Sequence, residues 1–339
     1  MNNTNSSILP NGVINIMNLK QIENELKELI TQLIDSIVMV LIPKENTVTC
    51  INVAQDNKYL DSATTGFYID GHVVVTAAHS LRNLYNEKVC LLNLDGDIIE
   101  GNIIDVDPKW DLMFIYSDAI HTSIPLRDNL ISIGSFVIVC GSAYGVLRPF
   151  LSIGIISGSE IKANIGYGLV EGLLLVSSPI LLGMSGSPII DLNGLSVGMV
   201  IAKAFDANEF SLAVPSTRIL YSYKILKKYG KIMHIVLGIN VLSLKNIITM
   251  LGLQYGLVIS KILNPNLYKF CQLCEGDVLL SINNRKMYTI EDLRLALDEA
   301  LLTHDILIIE YVSKANKKVY SCTIDDLAAF TTSKFFWRL

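Results

Sequence analysis

Short apolar runs separated by turn residues dominate the chain from Ile37 to Pro215. The runs are rich in Val, Ile, Leu and Phe, and Gly, Asn, Asp or Ser residues bound them. Many short strands with frequent turns and little helix predict an all-β barrel or sandwich. Examples of the predicted strands are Thr65–Ile69, His72–Thr76, Asp111–Tyr116, Phe136–Cys140, Gly172–Val176 and Ser196–Ile201.

Two segments with helical periodicity flank this β-rich region. Apolar residues recur at helical spacing from Leu19 to Ile34, after Asn18 as a cap, which predicts one amphipathic helix. We expect this helix to pack on the β-rich body, with partner binding as the alternative. Residues 1–17 are polar and Asn-rich, and we expect them to be disordered. A second helix is predicted from Ser216 to about Tyr229, where Gly230 supplies a stop.

The pattern changes after residue 230. Strands are predicted at Gly256–Ile262, Val278–Ile282 and Ile306–Val312. Between the last two, a helix begins after Thr289, with Asp292 at the capping-box position. A half-barrel with one helix beside a strand is a fold that can bind peptide.

Composition limits the classes of function. The chain has 339 residues, enough for two or three domains, and a net charge of −5 without a Lys/Arg cluster, which argues against nucleic acid as the main partner. Hydrophobic residues make up 51% of the chain and the mean hydropathy is +0.44, so self-association is one way to bury apolar surface.

No run of apolar residues reaches the roughly 18 that a transmembrane segment requires. Residues 1–7 lack the features of a secretory signal, so we expect an intracellular or particle-associated protein.

The six cysteines are dispersed along the chain, and we expect no disulfide framework. Cys271 and Cys274 form a CxxC pair, but no second pair or paired histidine accompanies them. We therefore expect a structural role for this pair and no zinc or redox site.

Three strings carry candidate chemistry: Thr-Ala-Ala-His at 76–79, Asp-Leu-Met at 111–113 and Gly-Met-Ser-Gly-Ser-Pro at 183–188. A serine hydroxyl is a weak nucleophile, and it needs a base that a carboxylate orients. His79 follows a buried strand, and glycines on both sides of Ser185 suit a tight turn with amides free for an oxyanion. His79, Asp111 and Ser185 occur in the chain order of chymotrypsin-like serine proteases. The sequence thus predicts acyl transfer without a metal or organic cofactor.

The chain resembles the HtrA/Deg family of serine proteases, in which a chymotrypsin-like domain precedes one or more PDZ domains. The resemblance covers about residues 37–320 and includes five strings outside the site motifs, at 65–71, 210–216, 229–232, 275–279 and 282–284. It implies a mainly β fold in which a double β-barrel protease domain precedes a PDZ-like domain. The predicted boundaries are an extension with the helix at 1–36, the protease at 37–230, the PDZ domain at 231–325 and a tail at 326–339.

The chain also departs from the family pattern. Met184 stands where the family has Asn, Ser187 where it has Gly, and Asn284-Arg285 where a PDZ turn has Asn-Gly. Gly183 is retained, and the resemblance implies that the amides of Gly183 and Ser185 form the oxyanion hole. Met184 supports the alternative that the chain is a chaperone-like or particle-associated scaffold whose protease domain is weak or inactive.

The S1 pocket, which binds the P1 residue before the scissile bond, is predicted to be apolar. Pro179 stands where trypsin-like enzymes place an acidic residue, so a Lys or Arg P1 residue is not expected. By resemblance, Ile180, Ala202 and Phe210 line the pocket and favour small or medium apolar P1 residues. Lys203 near the same wall supports the alternative of an acidic P1 residue.

The resemblance also implies partners. The PDZ domain would hold the carboxylate of C-terminal peptides near Leu237, Gly238 and Ile239, by strand addition and for substrate capture or regulation. A spacer that packs on the protease is the alternative. The chain's own apolar end, 336–339, is a candidate ligand. Family members act on unfolded or partly folded polypeptides in protein quality control and are commonly trimers.

Overall fold

The computed structural model describes residues 19–332 apart from 46, 82–86, 144–148, 166–167, 205–208 and 305. The chain divides into two compact units at the junction between Leu220 and Tyr221. This division falls inside a helix that both units share. The predicted domain boundary at residue 230 lies at the end of that helix and stays a prediction. The segments 1–17 and 336–339 lie outside the described residues, so the predicted disorder of the first and the predicted ligand role of the second also stay predictions.

The first half of unit 1 is a closed six-stranded barrel. Helix α1 (Leu19–Leu33) precedes it, and helix α2 (Cys50–Gln55) lies between its first two strands. Strand order around the barrel is β1-β2-β3-β6-β5-β4, with every neighbouring pair antiparallel. The strands are β1 (Ile37–Pro43), β2 (Leu60–Tyr68), β3 (Val73–Ala77), β4 (Lys88–Leu92), β5 (Ile98–Asp107) and β6 (Leu112–Ser117).

A second closed barrel completes unit 1, in the order β10-β11-β12-β9-β8-β7. Its strands are β7 (Phe136–Ser142), β8 (Pro149–Asn164), β9 (Leu169–Val176), β10 (Pro188–Asp191), β11 (Ser196–Lys203) and β12 (Ser211–Pro215). Closure leaves no unpaired sheet edge. The β-rich prediction for this region is confirmed, and it takes the double-barrel form.

Each barrel encloses its own apolar core, because alternate residues of the strands point inward. Val40, Val74 and Ile115 belong to the first core, while Val139, Met184 and Ile189 belong to the second. The apolar residues Leu29, Ile30 and Leu33 of α1 lie against the outer face of the second barrel, where they line a small cavity with Ile138, Cys140 and Ile190. These described contacts of the helix are with the β-rich body, and its role stays a prediction.

Helix α3 (Ser216–Tyr229) leads into unit 2, and its bounds match the prediction. Unit 2 is built on a sheet in the order β14-β15-β16-β18-β19, with β17 paired to β16, and on a separate pair of β13 with β20. The strands are β13 (His234–Ile235), β14 (Ile239–Leu242), β15 (Leu257–Ile262), β16 (Val278–Ile282), β17 (Arg285–Lys286), β18 (Leu307–Val312), β19 (Val319–Ile324) and β20 (Thr331–Thr332). The helices are α4 (Lys245–Met250), α5 (Asn266–Cys271) and α6 (Ile290–Glu299), and a π-helical turn continues α6 over Ala300–His304.

The predicted start of α6 is confirmed. The Thr289 hydroxyl accepts a hydrogen bond from the Asp292 amide, and the Asp292 carboxylate accepts one from the Thr289 amide. This capping box satisfies two amide groups that have no partner within the helix. In the described parts of the chain, the helices are too short or too polar to cross a membrane.

The expectation of no disulfides is wrong. Cys50 is bonded to Cys90 across 40 residues, and Cys271 to Cys322 across 51 residues. The spacing of cysteines along the chain carries no information on such pairs, because sheet pairing and helix packing bring distant residues together. Cys271 of the CxxC motif is therefore a disulfide partner, whereas Cys274 is free and exposed.

We predict that Cys322→Ser lowers the free energy of unfolding by about 2–4 kcal/mol, because the disulfide restricts the unfolded chain. Urea unfolding without reductant measures the change. Cys274→Ser is the matched control and should unfold like the parent protein, because its thiol is exposed and forms no disulfide. Equal stability of the two variants would contradict the structural role of the Cys271–Cys322 bond.

Candidate active site

His79 is held at the end of a buried strand. Strand β3 is buried throughout, and the chain then makes one short 3₁₀ turn over Ala78–Ser80. The His79 amide donates to Asp111 Oδ1 over 2.7 Å, and His79 Nδ1 lies 2.6 Å from Asp111 Oδ2. Backbone and ring of His79 are thus both fixed by one carboxylate.

Asp111 reaches His79 because their strands are neighbours. Ala77 of β3 pairs with Leu112 of β6, so the residue before β6 lies beside the turn after β3. The Ala78 amide also donates to the Asp111 carbonyl over 3.0 Å. Asp111 is fully buried and has a φ of +58°, a left-handed conformation that Asp tolerates better than most residues.

Ser185 lies in the turn that leads into β10 of the second barrel. Its Oγ is 3.1 Å from Nε2 of His79, 106 residues away in the sequence. A proton on Nδ1 faces the Asp111 carboxylate, which leaves Nε2 to accept the proton of the serine hydroxyl. The structure therefore brings the three predicted side chains into one hydrogen-bonded series, Asp111 to His79 to Ser185.

The amides of Gly183 and Ser185 donate to no carbonyl in the described structure. Other amides of the same turn are paired: Met184 N donates to the Leu181 carbonyl, Gly186 N to the Val200 carbonyl and Ser187 N to the Met184 carbonyl. Among the residues that the structure describes, the Gly183 and Ser185 amides have no hydrogen-bond partner. Unpaired amides are the groups that an oxyanion hole requires, and the assignment of these two amides to one stays a prediction.

Thr64 and Thr65 of β2 support this turn, and the sequence motifs gave them no role. The Thr64 hydroxyl and the Thr65 amide both donate to the Ser185 carbonyl, over 2.5 and 2.9 Å. The Thr65 hydroxyl donates to the Gly183 carbonyl and accepts from the Ser142 amide, each over 2.9 Å. These bonds connect residues 77 to 121 positions apart in the sequence, so no local pattern predicts them.

The two departures near Ser185 are accommodated inside the second barrel. The Met184 side chain is fully buried in the core, and its sulfur accepts a hydrogen bond from the Leu181 amide over 3.3 Å. The Ser187 side chain is also buried, at the place where a Cβ on Gly141 would come within 1.9 Å of its Oγ. Neither side chain occupies the space in front of Ser185 Oγ.

The predicted S1 residues lie around the second barrel, and their roles stay predictions. Ile180 is buried in the core cluster that contains Met184, whereas Pro179 is exposed. Ala202 and Lys203 lie on β11, paired with Leu212 and Ser211 of β12, and the Phe210 carbonyl accepts from the Ala204 amide. The Lys203 side chain is exposed.

The predicted carboxylate-binding residues belong to unit 2. Leu237 is buried, Gly238 has a φ of +70°, and Ile239 begins β14, the edge strand of the sheet. The Gly238 carbonyl accepts from the Leu263 and Asn264 amides. Within the described part of unit 2, the Leu237 and Gly238 amides have no partner.

Cys140 lies in β7, outside the site, and its thiol is buried. Burial raises the pKa of the Cys140 thiol to about 12, so this cysteine is not ionised at neutral pH.

Among the residues with described positions, no cluster of His, Cys, Asp or Glu side chains could hold a metal ion.

Comparisons with known proteins find relatives among the serine proteases. The family model of the trypsin-like peptidase domain matches residues 64–199. Serine protease HTRA4 of Homo sapiens is 27% identical over 266 residues, covering 72% of this chain and 54% of the relative. A probable periplasmic serine endoprotease, DegP-like, of Bartonella henselae is 26% identical over 246 residues, covering 68% of this chain and 46% of the relative. The chain thus spans about half the length of these curated relatives.

Solved structures share the fold. The HtrA-type protease AlgW with tripeptide superposes with a TM-score of 0.69 at 18% identity, covering 88% of this chain and 95% of that one. Residues 64–199 therefore match the trypsin-like peptidase domain, and the fold is the mainly β, chymotrypsin-like fold of HtrA structures. The chain is therefore similar to HtrA-type serine proteases in sequence as well as in fold.

We predict that Thr65→Val slows labelling of Ser185 by a fluorophosphonate at least about tenfold, since the Ser142 amide loses a buried acceptor and the Gly183 carbonyl its donor. Thr65→Ser keeps the hydroxyl and should label at nearly the parent rate. Gel fluorescence after timed exposure measures both rates. Parent-like labelling of the Val variant would show that these hydrogen bonds do not position the turn.

Proposed function

We propose that the chain is an active serine endopeptidase that cleaves unfolded or partly folded polypeptides with His79, Asp111 and Ser185. The observation that carries the proposal is the series of 2.6 and 3.1 Å contacts through His79, next to the unpaired amides of Gly183 and Ser185. No cofactor or metal enters the proposed reaction.

In this mechanism, Ser185 Oγ attacks the carbonyl carbon of the peptide bond while His79 Nε2 takes its proton. The negative charge on the carbonyl oxygen is stabilised by the Gly183 and Ser185 amides. His79 then gives the proton to the leaving amine, and water hydrolyses the acyl-enzyme by the same steps. Asp111 orients the imidazole and stabilises its charged form.

Acceptance of small or medium apolar P1 residues is part of the proposal. It is supported by the apolar character of Pro179, Ile180 and Ala202, and by the exposed position of Lys203, whose charge can point to solvent. A preference for acidic P1 residues remains the alternative, in which Lys203 would turn toward the pocket.

Unit 2 is proposed to be a PDZ domain that captures C-terminal peptides. A peptide added to the free edge of β14 would gain main-chain hydrogen bonds, and its carboxylate would face the unpaired Leu237 and Gly238 amides. The ligand can be a substrate or a regulator. The spacer role is the alternative.

A homo-oligomer, a trimer by resemblance, is also part of the proposal. It is supported by apolar side chains exposed on the second barrel, where Phe136 is 62%, Leu151 41% and Ile153 60% accessible. Such surface favours contact between protein copies.

The disulfides bear on localisation. Two disulfides in one chain favour an oxidising compartment. This inference departs from the sequence-based expectation of an intracellular or particle-associated protein, and two relatives of this chain are named as periplasmic.

We predict that Ser185→Ala lowers the rate of casein degradation by at least about three orders of magnitude and leaves the fold intact. Fluorescent casein measures the rate, and circular dichroism checks the fold. If the parent itself releases no fragments from casein and does not react with a fluorophosphonate, the alternative of idle machinery in a chaperone-like or particle-associated scaffold replaces the proposal.

We predict that Gly238→Ala weakens binding of peptides with an apolar C-terminal residue and a free carboxylate at least about tenfold, because a new Cβ would lie 2.6 Å from Asn264 Cβ and displace the loop. The matched control is Gly252→Ala, where φ is +72° and the space around the Cβ is open. Titration calorimetry compares both with the parent. Equal binding of carboxylate and amidated peptides would refute carboxylate recognition.

A further inference from the structure

Trp110, the residue directly before Asp111, is buried, and the mechanism above gives it no role. It lies in the turn 108–111 that joins β5 to β6, and its accessible fraction is 3%. The guanidinium carbon of Arg218 lies over its indole ring, 4.9 Å from the ring centre, and Lys109 Nζ lies 4.2 Å from the same centre. A cation at such a distance is attracted by the electron-rich face of the indole.

Arg218 reaches this ring from the second barrel. It is the third residue of α3, and this helix directly follows β12. The Ser216 hydroxyl, at the start of the helix, donates to the Arg127 carbonyl over 2.7 Å, so the position of this end of α3 is fixed. Arg218 is buried, which strengthens the attraction between its charge and the ring because little water screens it.

The other contacts of the turn lie within its own hairpin. Asp107 is fully buried, pairs with Leu112 across the hairpin and accepts the Lys109 amide over 3.1 Å. This hydrogen bond and the contact of Lys109 with Trp110 shape the turn without tying it to a different element. The contact with Arg218, in contrast, joins the turn to a helix that starts from the other barrel.

Asp111 depends on such an anchor because its backbone has a φ of +58°. A residue other than glycine keeps this conformation only where its surroundings determine it. On the side of β3, the amides of Ala78 and His79 hold its carbonyl and its carboxylate. The angle φ describes rotation about the bond from the Asp111 nitrogen to its Cα, and this nitrogen belongs to the peptide group that follows Trp110. An anchored indole ring therefore fixes the second side of that rotation.

We propose that Arg218 and Trp110 are positioning residues, which together hold the turn before Asp111 so that its carboxylate stays aligned with the His79 ring. The inference rests on the proposed endopeptidase function. Neither side chain acts on the substrate, and both act through Asp111. Without the anchor, the turn relaxes toward a negative φ and the carboxylate moves away from His79 Nδ1.

Charge removal at position 218 tests the anchor. Arg218→Met keeps a long side chain without its charge and should slow fluorophosphonate labelling of Ser185 at least about tenfold, because a small displacement of an orienting group is costly. Arg218→Lys keeps a cation and should restore the rate to within about threefold of the parent. Lys224→Met, which removes an exposed cation of the same helix, is the control and should label like the parent. Parent-like labelling of Arg218→Met would overturn the proposal.

A matched pair at position 110 gives an independent test. Trp110→Phe and Trp110→Met replace the indole by smaller apolar side chains of similar size, but only phenylalanine keeps an aromatic face. The Met variant should label at least about tenfold more slowly than the Phe variant. Combining Trp110→Met with Arg218→Met should slow labelling no further than the slower single change, because both remove one interaction. Equal rates for the Phe and Met variants, or fully multiplicative effects in the double variant, would refute the contact as the cause.

Proton NMR with nitrogen-15-labelled histidine separates positioning from a general loss of stability. The proton between His79 Nδ1 and Asp111 Oδ2, which are 2.6 Å apart, should resonate far downfield in the parent and in Lys224→Met. In Arg218→Met and Trp110→Met, this resonance should be lost or moved upfield while circular dichroism shows a folded protein. An unchanged resonance in the folded variants would overturn the proposal.

The two readouts also separate this inference from the proposed function. A parent that shows the resonance but is not labelled by the fluorophosphonate counts against the endopeptidase function, and the resonance of the variants then still decides the role of Arg218 and Trp110. A labelled parent whose Arg218→Met and Trp110→Met variants keep both the rate and the resonance counts against the positioning role alone.

Discussion

Hydrogen bonds between the two barrels of unit 1 are the constraint on which the site depends. Strand β2 of the first barrel donates twice to the Ser185 carbonyl, and the Thr65 hydroxyl joins the Gly183 carbonyl to the Ser142 amide. These donors are buried, so the alternative to each bond is an unpaired polar group without access to water. The nucleophile turn of one barrel is therefore held at a set distance from the histidine of the other.

The fixed turn explains how the proposed oxyanion site and an altered sequence coexist. The carbonyls of Gly183 and Ser185 accept hydrogen bonds from β2, and the Met184 carbonyl, which shares a peptide group with the Ser185 amide, accepts one from the Ser187 amide. The thioether of Met184 points into the core and takes the Leu181 amide as its partner. The side chain at position 184 thus affects packing behind the turn rather than the face that meets substrate.

Much of this arrangement was predictable from local patterns. Apolar runs such as Val73–Ala77 mark the strands, the helix Ser216–Tyr229 follows from its periodicity and stop, and the Thr289 cap follows from a local pair of residues. Proximity of His79, Asp111 and Ser185 was predictable only because the motifs occur in a familiar order. Their distances depend on strand pairing, which the sequence does not encode locally.

The unpredicted features all arise from contacts between distant segments. The two disulfides join residues 40 and 51 positions apart, and the threonine contacts to the nucleophile turn span about 120. Helix α2 is only six residues long, too short for periodicity to reveal, and tertiary contacts hold it. Chain spacing alone contains no signal for such contacts.

Gly141 and Ser187 share one small volume between β7 and the start of β10. A methyl group at 141 would lie 1.9 Å from the serine oxygen and 3.0 Å from both Ser187 Cβ and Thr65 Oγ1. Alanine at 141 therefore requires that the serine hydroxyl turn away or be removed, and it also presses on the threonine that holds the Gly183 carbonyl. A change inside the second barrel at this position would thus reach the hydrogen bonds that join the two barrels.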